Sequence, residues 1–415
     1  MSNTWQVNYD EIKGFVAQHP SIQIKPDVFS IPSEVRPDFY RLADSLGENF
    51  IRDKFSASLE KAYTLSSNHE RIRSELTTSL AVEEIEVKAT IKEFLSNPMG
   101  HLIKLLFDPL FDLLMGKINP GTFEEMSTAK LQLAFDTFFQ QAYESWLILS
   151  LLQLMAPDEA YIVPPPLNDF ANECDSAITD SGGLPKQMVP DAVQARRFSF
   201  DSTTFVSYLV PKVIVHSKRL NLFVSLVSEF RNVPLRVVYL NQNVEWFMVS
   251  ELYQKIGPGR IWPDLAIYLA KQPNDLIMVA DNRNIARPDM IMHIEHEKDL
   301  REPGKPDMLK NRNEVFAPRL GSFVICPEIL PEVDVETFKQ QFRPLGQQIE
   351  TAEAPVKTGE AREAESVPSK PTSSAVLPRG IDVICVGYDA AKLEPIANTI
   401  IESQHYVELT SNPDR

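Results

Sequence analysis

Two short apolar runs in the middle of the chain constrain the fold most, because a Pro-Asp pair opens each of them. They read PDLAIYLA from Pro263 and PDMIMHIEHEK from Pro288. Proline has no backbone donor, so it suits the first position of a strand, where no ladder hydrogen bond is needed. We therefore expect two neighbouring β-strands that each begin with an aspartate.

The second run has a pattern typical of a strand with one polar face. Alternate side chains of a strand point to the same side. Asp289, His293, Glu295 and Glu297 would then share a face with Ile291, while the opposite face is mostly apolar. The pattern predicts a cluster of acidic and histidine side chains at the end of this strand.

Composition limits the class of protein. The chain has 415 residues and a net charge of −16, which favours two to three domains and argues against a uniformly basic nucleic-acid-binding surface. Its cysteines, Cys174, Cys326 and Cys385, lack paired spacing, which disfavours a disulfide framework or a Cys-based zinc site. The first residues lack a signal-peptide pattern, and the apolar windows are too short to span a bilayer. We expect a cytoplasmic protein without a membrane span.

The hydrophobic pattern predicts an α+β protein with several parts. Residues 1–155 carry apolar side chains at helical spacing and are expected to form a helical bundle. A loop-rich connector over 156–199 leads to a mixed α/β domain over 200–347, in which Leu222 to Phe230 is expected to be a short helix. Residues 348–378 are rich in Pro, Glu, Ser, Thr and Ala, a composition typical of a disordered linker.

Residues 379–415 read as a partial β-α-β segment. The segment resembles the start of a flavodoxin-like response-regulator receiver domain. Gly387 and Tyr388 stand where that family carries its acidic pair, which argues against phosphorylation at this place. The segment is shorter than a domain, so either it is a truncated domain or it completes another sheet.

The carboxylates of the central runs fit metal-assisted hydrolysis of a phosphodiester bond. Mg²⁺ prefers oxygen ligands, and it can activate water and neutralise phosphate charge. The pair Pro263-Asp264 with Glu295-His296-Glu297 resembles the motif of the PD-(D/E)xK superfamily, the restriction-endonuclease-like nucleases, over at most residues 200–330. The resemblance implies that Asp264, Glu295 and Glu297 hold Mg²⁺, with Glu297 at the position that usually carries lysine. It also implies that Lys310 is a helix lysine near the phosphate.

Other interpretations stay open at this point. His293, Glu295 and Glu297 have the donor types of a transition-metal site. Residues 257–320 are more basic than the rest of the chain, which is typical either of a phosphate-facing cleft or of ordinary surface charge. The first functional hypothesis is a Mg²⁺-dependent nuclease acting on DNA or RNA, with the helices serving dimerisation or recognition. The alternative is a catalytically inactive regulatory adaptor that binds protein partners through its helical and C-terminal modules.

Overall fold

The structure is a computed structural model that describes residues 4–25, 28–164, 190–199, 209–210, 213–228, 235–237, 246–256, 262–280, 284–342 and 380–402. The chain divides into two compact units. The helical unit comprises Met1–Ser79, Glu83–Ser150 and Ser199–Thr204. The sheet unit comprises Leu80–Val82, Leu151–Phe198 and Phe205–Arg415. The α+β class expected from the sequence is confirmed.

Helices dominate the first 154 residues. They are α1 Thr4–Gln18, α2 Arg36–Ser79, α3 Ala89–Ser96, α4 Pro98–Lys104, α5 Phe107–Leu114 and α6 Pro120–Leu154. The short strands of this part are β1 Gln23–Lys25, β2 Val28–Ser30 and β3 Glu84–Glu86. β1 and β2 form an antiparallel hairpin. The long helix α2 is kinked at Phe55, whose φ of −132° and ψ of 26° are not helical.

The core of the helical unit is apolar and rich in aromatic side chains. In α2 the buried residues Phe39, Ala43, Leu46 and Phe50 follow each other at intervals of three or four, so they line one face of the helix. Trp5 of α1 contributes to the same core, since its ring centroid lies 5.9 Å from that of Phe50. These contacts are typical of edge-to-face aromatic packing. The helical character predicted for this part is confirmed.

An eight-stranded mixed sheet organises the second unit. Its members are β4 Pro157–Ile162, β5 Val193–Gln194, β8 Ile214–Ser217, β9 Leu222–Ser228, β12 Leu265–Ala270, β15 Met290–Ile294, β16 Ser322–Cys326 and β17 Ile381–Cys385, in the order β17-β16-β15-β12-β9-β8-β4-β5. The remaining strands are β6 Arg197–Ser199, β7 Leu209–Val210, β10 Leu235–Val237, β11 Trp246–Met248, β13 Met278–Ala280 and β14 Asn284–Ala286. The helices are α7 Val249–Ile256, α8 Glu297–Leu300, α9 Lys305–Phe316, α10 Glu332–Phe342 and α11 Glu394–Glu402.

The direction of the strands changes at β15. β12 pairs antiparallel with both β9 and β15. β15, β16 and β17 are parallel to one another. Parallel neighbours need a crossover connection, and α9 stands between β15 and β16 as α10 stands between β16 and β17. This unit is therefore built on three antiparallel strands, β9, β12 and β15, followed by α9 and the parallel strand β16.

Two sequence expectations about this unit are corrected, and one open alternative is decided. Leu222–Ser228 is strand β9 instead of a helix, and it lies inside the sheet between β8 and β12. The expected connector over 156–199 contains β4 and β5, which belong to the same sheet. Of the two alternatives for the C-terminal segment, the structure shows completion of another sheet, because Ile381–Cys385 pairs with β16. Residues 348–378 and the strand expected after residue 403 lie outside the described residues.

Within the part of the chain that the structure describes, no helix is both long enough and apolar enough to cross a membrane.

Candidate active site

Two carboxylates lie at the same end of the β12–β15 pair. Asp264 directly precedes β12 and Glu295 directly follows β15, and the two strands run antiparallel. The backbone N–H of Asp264 donates to the carbonyl of Met292 at 3.0 Å. The backbone N–H of Ile294 donates to Oδ2 of Asp264 at 2.9 Å. Asp264 is therefore hydrogen-bonded to the last residues of the neighbouring strand β15, consistent with the Pro-Asp pattern at the start of β12.

The strand register extends this cluster by a histidine. The paired part of β12 and β15 ends at Leu265 and Met292, and His293 is the next residue of β15. Alternate residues of a strand share a face, so Glu295 continues the face of His293. His293 is completely buried and Glu295 is 3% exposed. Three titratable side chains therefore lie at the same end of the β12–β15 pair: Asp264, His293 and Glu295.

Lys305, the first residue of α9, closes the cluster from the helix side. Its Nζ lies 2.6 Å from Oε2 of Glu295, and the two side chains are 15% and 4% exposed. Gly304 precedes it with a φ of 84°, a left-handed conformation that suits glycine and turns the chain into the helix. Because a charge removed from water costs free energy unless an opposite charge compensates it, each side chain of this pair depends on the other.

The inward face of α9 adds a second cation. Arg312 follows Lys305 by seven residues, which is two helical turns along the same face. It is 1% exposed, and its Nη2 lies 3.4 Å from Sδ of Met308. On the next residue, Asn313 accepts a hydrogen bond from the Ser322 hydroxyl of β16. The helix therefore presents one buried and one partly buried basic side chain, Arg312 and Lys305, on the face that packs against the sheet.

The second Pro-Asp pair has a structural role. Asp289 directly precedes β15 and lies about 20 Å along an extended chain from Glu295, which follows the other end. Its Oδ1 lies 2.9 Å from Nε of Arg319, and its Oδ2 accepts the backbone N–H of Leu269 at 2.8 Å. Burial raises the pKa of the Asp289 carboxyl, and the charge of Arg319 opposes this shift. Asp289 ties β15 to β12 and does not join Asp264.

Glu297 and Lys310, two of the residues that the sequence indicated, lie elsewhere. The expectation that Glu297 continues the strand face is wrong, because β15 ends at Ile294 and Glu297 begins α8. Its Oε1 accepts a hydrogen bond from Nε of Arg301 at 2.9 Å. Lys310 lies five residues after Lys305, about 140° around the helix. It pairs with exposed Asp307 at 3.7 Å.

Lys310 lines a surface cavity on the outer side of α9. The cavity has a volume of about 600 Å³ and lies between α8, α9 and α10. Arg301 and Asp334 line it too, and they are ion-paired with each other at 3.4 Å. The charges of this cavity are thus largely compensated within the protein.

The metal site expected from the sequence stays a prediction. Over the described ranges, no group of three or more His, Cys, Asp or Glu side chains has the arrangement of a metal-binding site. Asp264 and Glu295 supply two carboxylate donors at one strand end, and oxygen donors of this kind suit Mg²⁺. The donor set therefore fits a cation that keeps several water ligands, rather than one enclosed by protein atoms.

A second polar cluster lies next to the first. Nδ1 of His296 donates to Oε1 of Glu328 at 2.7 Å, and the thiol of Cys326 donates to Oε2 of Glu328 at 3.2 Å. Burial opposes ionisation of Glu328, but these hydrogen bonds outweigh it and lower the pKa to about 2. The hydrogen bond to Glu328 raises the pKa of His296. This cluster fixes the residue that directly follows Glu295.

No family model, curated protein or solved structure matches this chain. Its function is therefore argued from the site alone.

Proposed function

We propose that the sheet unit is a metal-dependent nuclease-like domain that hydrolyses phosphodiester bonds of DNA or RNA. The observation that carries the proposal is the cluster at the common end of β12 and β15. There, Asp264 is hydrogen-bonded to Ile294 at 2.9 Å, and Glu295 is ion-paired with Lys305 at 2.6 Å. Two carboxylates and a lysine on neighbouring strands and a following helix are the groups this chemistry needs.

Asp264 and Glu295 would hold a Mg²⁺ ion, which activates water and compensates phosphate charge when it is bound. Lys305 is the residue that the structure favours for the cationic role that the sequence assigned to Lys310. Its ammonium lies 2.6 Å from Glu295, so it keeps this carboxylate oriented and adds positive charge at the strand end. Buried Arg312, on the same helix face, would strengthen the positive potential toward a phosphate.

The topology around the cluster supports the same proposal. Antiparallel strands β9, β12 and β15 are followed by α9 and by parallel strand β16. This order brings the start of β12, the end of β15 and the start of α9 to one edge of the sheet. Active sites are commonly built where strand ends and a helix N-terminus meet, because their side chains converge on one place.

The test is cleavage of plasmid DNA and of single-stranded RNA by the full chain with Mg²⁺ or Mn²⁺. We expect Asp264→Asn and Glu295→Gln each to lower the cleavage rate by at least about 100-fold. Glu297→Gln is the matched control, because it makes the same change two residues away on a side chain paired with Arg301. Equal activity of the Glu295 and Glu297 variants would overturn the proposal. Far-UV circular dichroism checks that each variant is folded.

A catalytically inactive adaptor is the second candidate. The observation in its favour is that Glu295 already has a buried cationic partner in Lys305, so a metal would have to compete with it. In the adaptor, Mg²⁺ and Mn²⁺ would leave the melting temperature unchanged, and neither nucleic acid would be cut. A rise in melting temperature that Asp264→Asn removes would favour the nuclease-like domain.

A further inference from the structure

Two thiols face each other at the edge of the central sheet. Cys326 is the last residue of β16 and Cys385 is the last residue of β17, and the parallel register pairs them directly. Both are free thiols. The sequence does not reveal this proximity, because the two cysteines are 59 residues apart (385 − 326).

The spacing of neighbouring strands suits a disulfide. Paired residues of adjacent strands lie about 4.8 Å apart. The Cα atoms of disulfide-bonded cysteines lie about 4.4–6.8 Å apart. Both cysteines are the last residues of their strands, and the backbone N–H of Val386 donates to the carbonyl of Cys326 at 2.9 Å just beyond the pair. The turn that follows β17 contains Gly387 in the left-handed region with a φ of 57°. Small adjustments of this end would bring the two sulfurs together.

The surroundings make the two thiols unequal. Cys326 is completely buried, whereas Cys385 is partly exposed. The pKa of the Cys385 thiol is lowered, first by its side-chain interaction with Cys326 and then by a hydrogen bond with the backbone of Leu330; burial opposes this shift. The pKa of Cys326 is raised by its side-chain interaction with Cys385 and by burial. Because Cys385 is the partly exposed thiol and Cys326 the buried one, Cys385 is the better placed of the two to meet an oxidant first.

We propose that Cys326 and Cys385 form a reversible oxidation site. A peroxide or a low-molecular-weight disulfide oxidises the two thiols to a disulfide, which links β17 covalently to β16. With hydrogen peroxide, the Cys385 thiolate attacks one oxygen, the O–O bond breaks, and the sulfenic acid forms with release of hydroxide. The Cys326 thiol then attacks that sulfur, the S–O bond breaks, and the proton of Cys326 leaves with the hydroxyl group as water. The two thiols are oxidised to one disulfide and the peroxide is reduced to water.

Oxidation would also change the polar cluster beside the candidate active site. In the reduced protein the Cys326 thiol donates to Oε2 of Glu328 at 3.2 Å. A disulfide has no S–H, so Glu328 would lose this donor and keep His296 and the backbone N–H of Glu297, which donates at 3.2 Å. The site is defined by the cysteine pair alone and does not depend on nuclease activity.

The test uses the full chain with Cys174→Ser, so that only the two paired cysteines remain. The folded protein is treated with hydrogen peroxide or oxidised glutathione, and peptide mapping under non-reducing conditions locates the bond. We expect an intramolecular disulfide between Cys326 and Cys385 that dithiothreitol reverses. It should form at least about tenfold faster in the folded chain than in the chain unfolded in urea, because the fold places the thiols side by side.

Matched single variants separate the two roles. Cys385→Ser should leave Cys326 unreactive in the folded protein, because that thiol is buried. Cys326→Ser should leave Cys385 reactive, so that it accumulates as sulfenic acid or as a glutathione adduct. A disulfide that forms only in urea would overturn the proposal. So would a folded protein in which Cys385 is oxidised beyond the sulfenic acid while Cys326 remains a thiol.

Discussion

The two units differ in the kind of polar side chain that they bury. In the described part of the helical unit, the buried polar side chains are neutral or held neutral: His69, Ser127, Ser145 and Ser150. In the described part of the sheet unit, they include two carboxylates, a histidine and an arginine: Asp289, His293, Glu295 and Arg312. Buried charge costs stability unless it is paired, and it is concentrated where a protein binds or reacts. The comparison shows that, among the described residues, buried charge is concentrated in the sheet unit, which also contains the proposed site.

The largest effect should come from removing Lys305. Replacing it by Met leaves the Glu295 carboxylate buried without its cation, so we expect the free energy of unfolding at neutral pH to fall by about 3–5 kcal/mol. Urea unfolding followed by circular dichroism measures this. The double variant Lys305→Met with Glu295→Gln removes both charges and should recover most of the loss. A loss under about 1 kcal/mol for the single variant would mean that water solvates the pair, and the contrast between the units would then disappear.

The helical unit should respond to pH through His69. Burial, with a smaller contribution from the charge of Arg73, lowers the pKa of His69 to about 4 from 6.5. Its ring lies 2.9 Å from the Ser145 hydroxyl. The folded state keeps the imidazole neutral while the unfolded chain takes up a proton below about pH 6.5. Stability is therefore full above that pH and falls as the pH approaches 4, by up to about 3 kcal/mol, which is roughly 2.5 pH units at 1.36 kcal/mol each.

The control for this prediction is His69→Gln, which can still hydrogen-bond to Ser145 but does not titrate. The difference between the native chain and this variant should shrink steadily from pH 6.5 to pH 4. A constant difference over that range would show that His69 is protonated or solvated in the folded protein. The helical unit would then carry a buried charge like the sheet unit.

Much of the fold follows from sequence periodicity, and the misses have physical causes. The helices of the first 154 residues follow from apolar residues at intervals of three and four, and β12 and β15 follow from their Pro-Asp starts. Strand β9, LFVSLVS, was expected to be helical because a short apolar run is equally compatible with a buried helix and a buried strand. The position of β17 depends on pairing with a strand far away in sequence, which local patterns do not encode.

The candidate site was predictable in part, for the same reasons. Asp264 and Glu295 share a strand end because both belong to strands with recognisable patterns. The alternation of side chains along β15 predicts Glu297 on the same face as Glu295. The strand ends at Ile294, however, and Glu297 begins α8, so this prediction is wrong. Lys305 was visible only as one of several basic residues after Glu295. Its contact with Glu295 depends on how α9 packs on the sheet, which the local sequence Gly304-Lys305-Pro306 does not encode.

A smaller effect should come from the pair of His296 and Glu328. The hydrogen bond raises the pKa of His296, so its contribution is present below about pH 6.5 and is lost as the pH rises through the folded pKa. Hydrogen bonds lower the pKa of Glu328 to about 2 despite burial, so its contribution is present above about pH 4.5 and is lost as the pH falls toward 2. The two contributions coincide between about pH 4.5 and 6.5.

Glu328→Gln should therefore destabilise the protein most within that range. Because both side chains are about a third exposed, at 34% and 35%, we expect about 1 kcal/mol there and less on either side. Thermal unfolding measured across the pH range gives the difference. A difference that keeps growing above pH 7 would show that the pair acts through something other than opposite charges.

The smallest effect should come from Lys310, which the sequence favoured and the structure places on the outer side of α9. Its partner Asp307 is 85% exposed and 3.7 Å away, so Lys310→Ala should change the free energy of unfolding by less than about 0.5 kcal/mol. Cleavage of plasmid DNA, if the proposed nuclease is active, should be unchanged within about twofold, whereas Lys305→Met should abolish it. The two lysines are five residues apart on different faces of the same helix. The two variants therefore test which face of α9 lies toward the substrate. A tenfold loss of cleavage in Lys310→Ala, with the fold and Lys305 intact, would show that the outer cavity faces the phosphate. Lys310 would then take the cationic role assigned to Lys305.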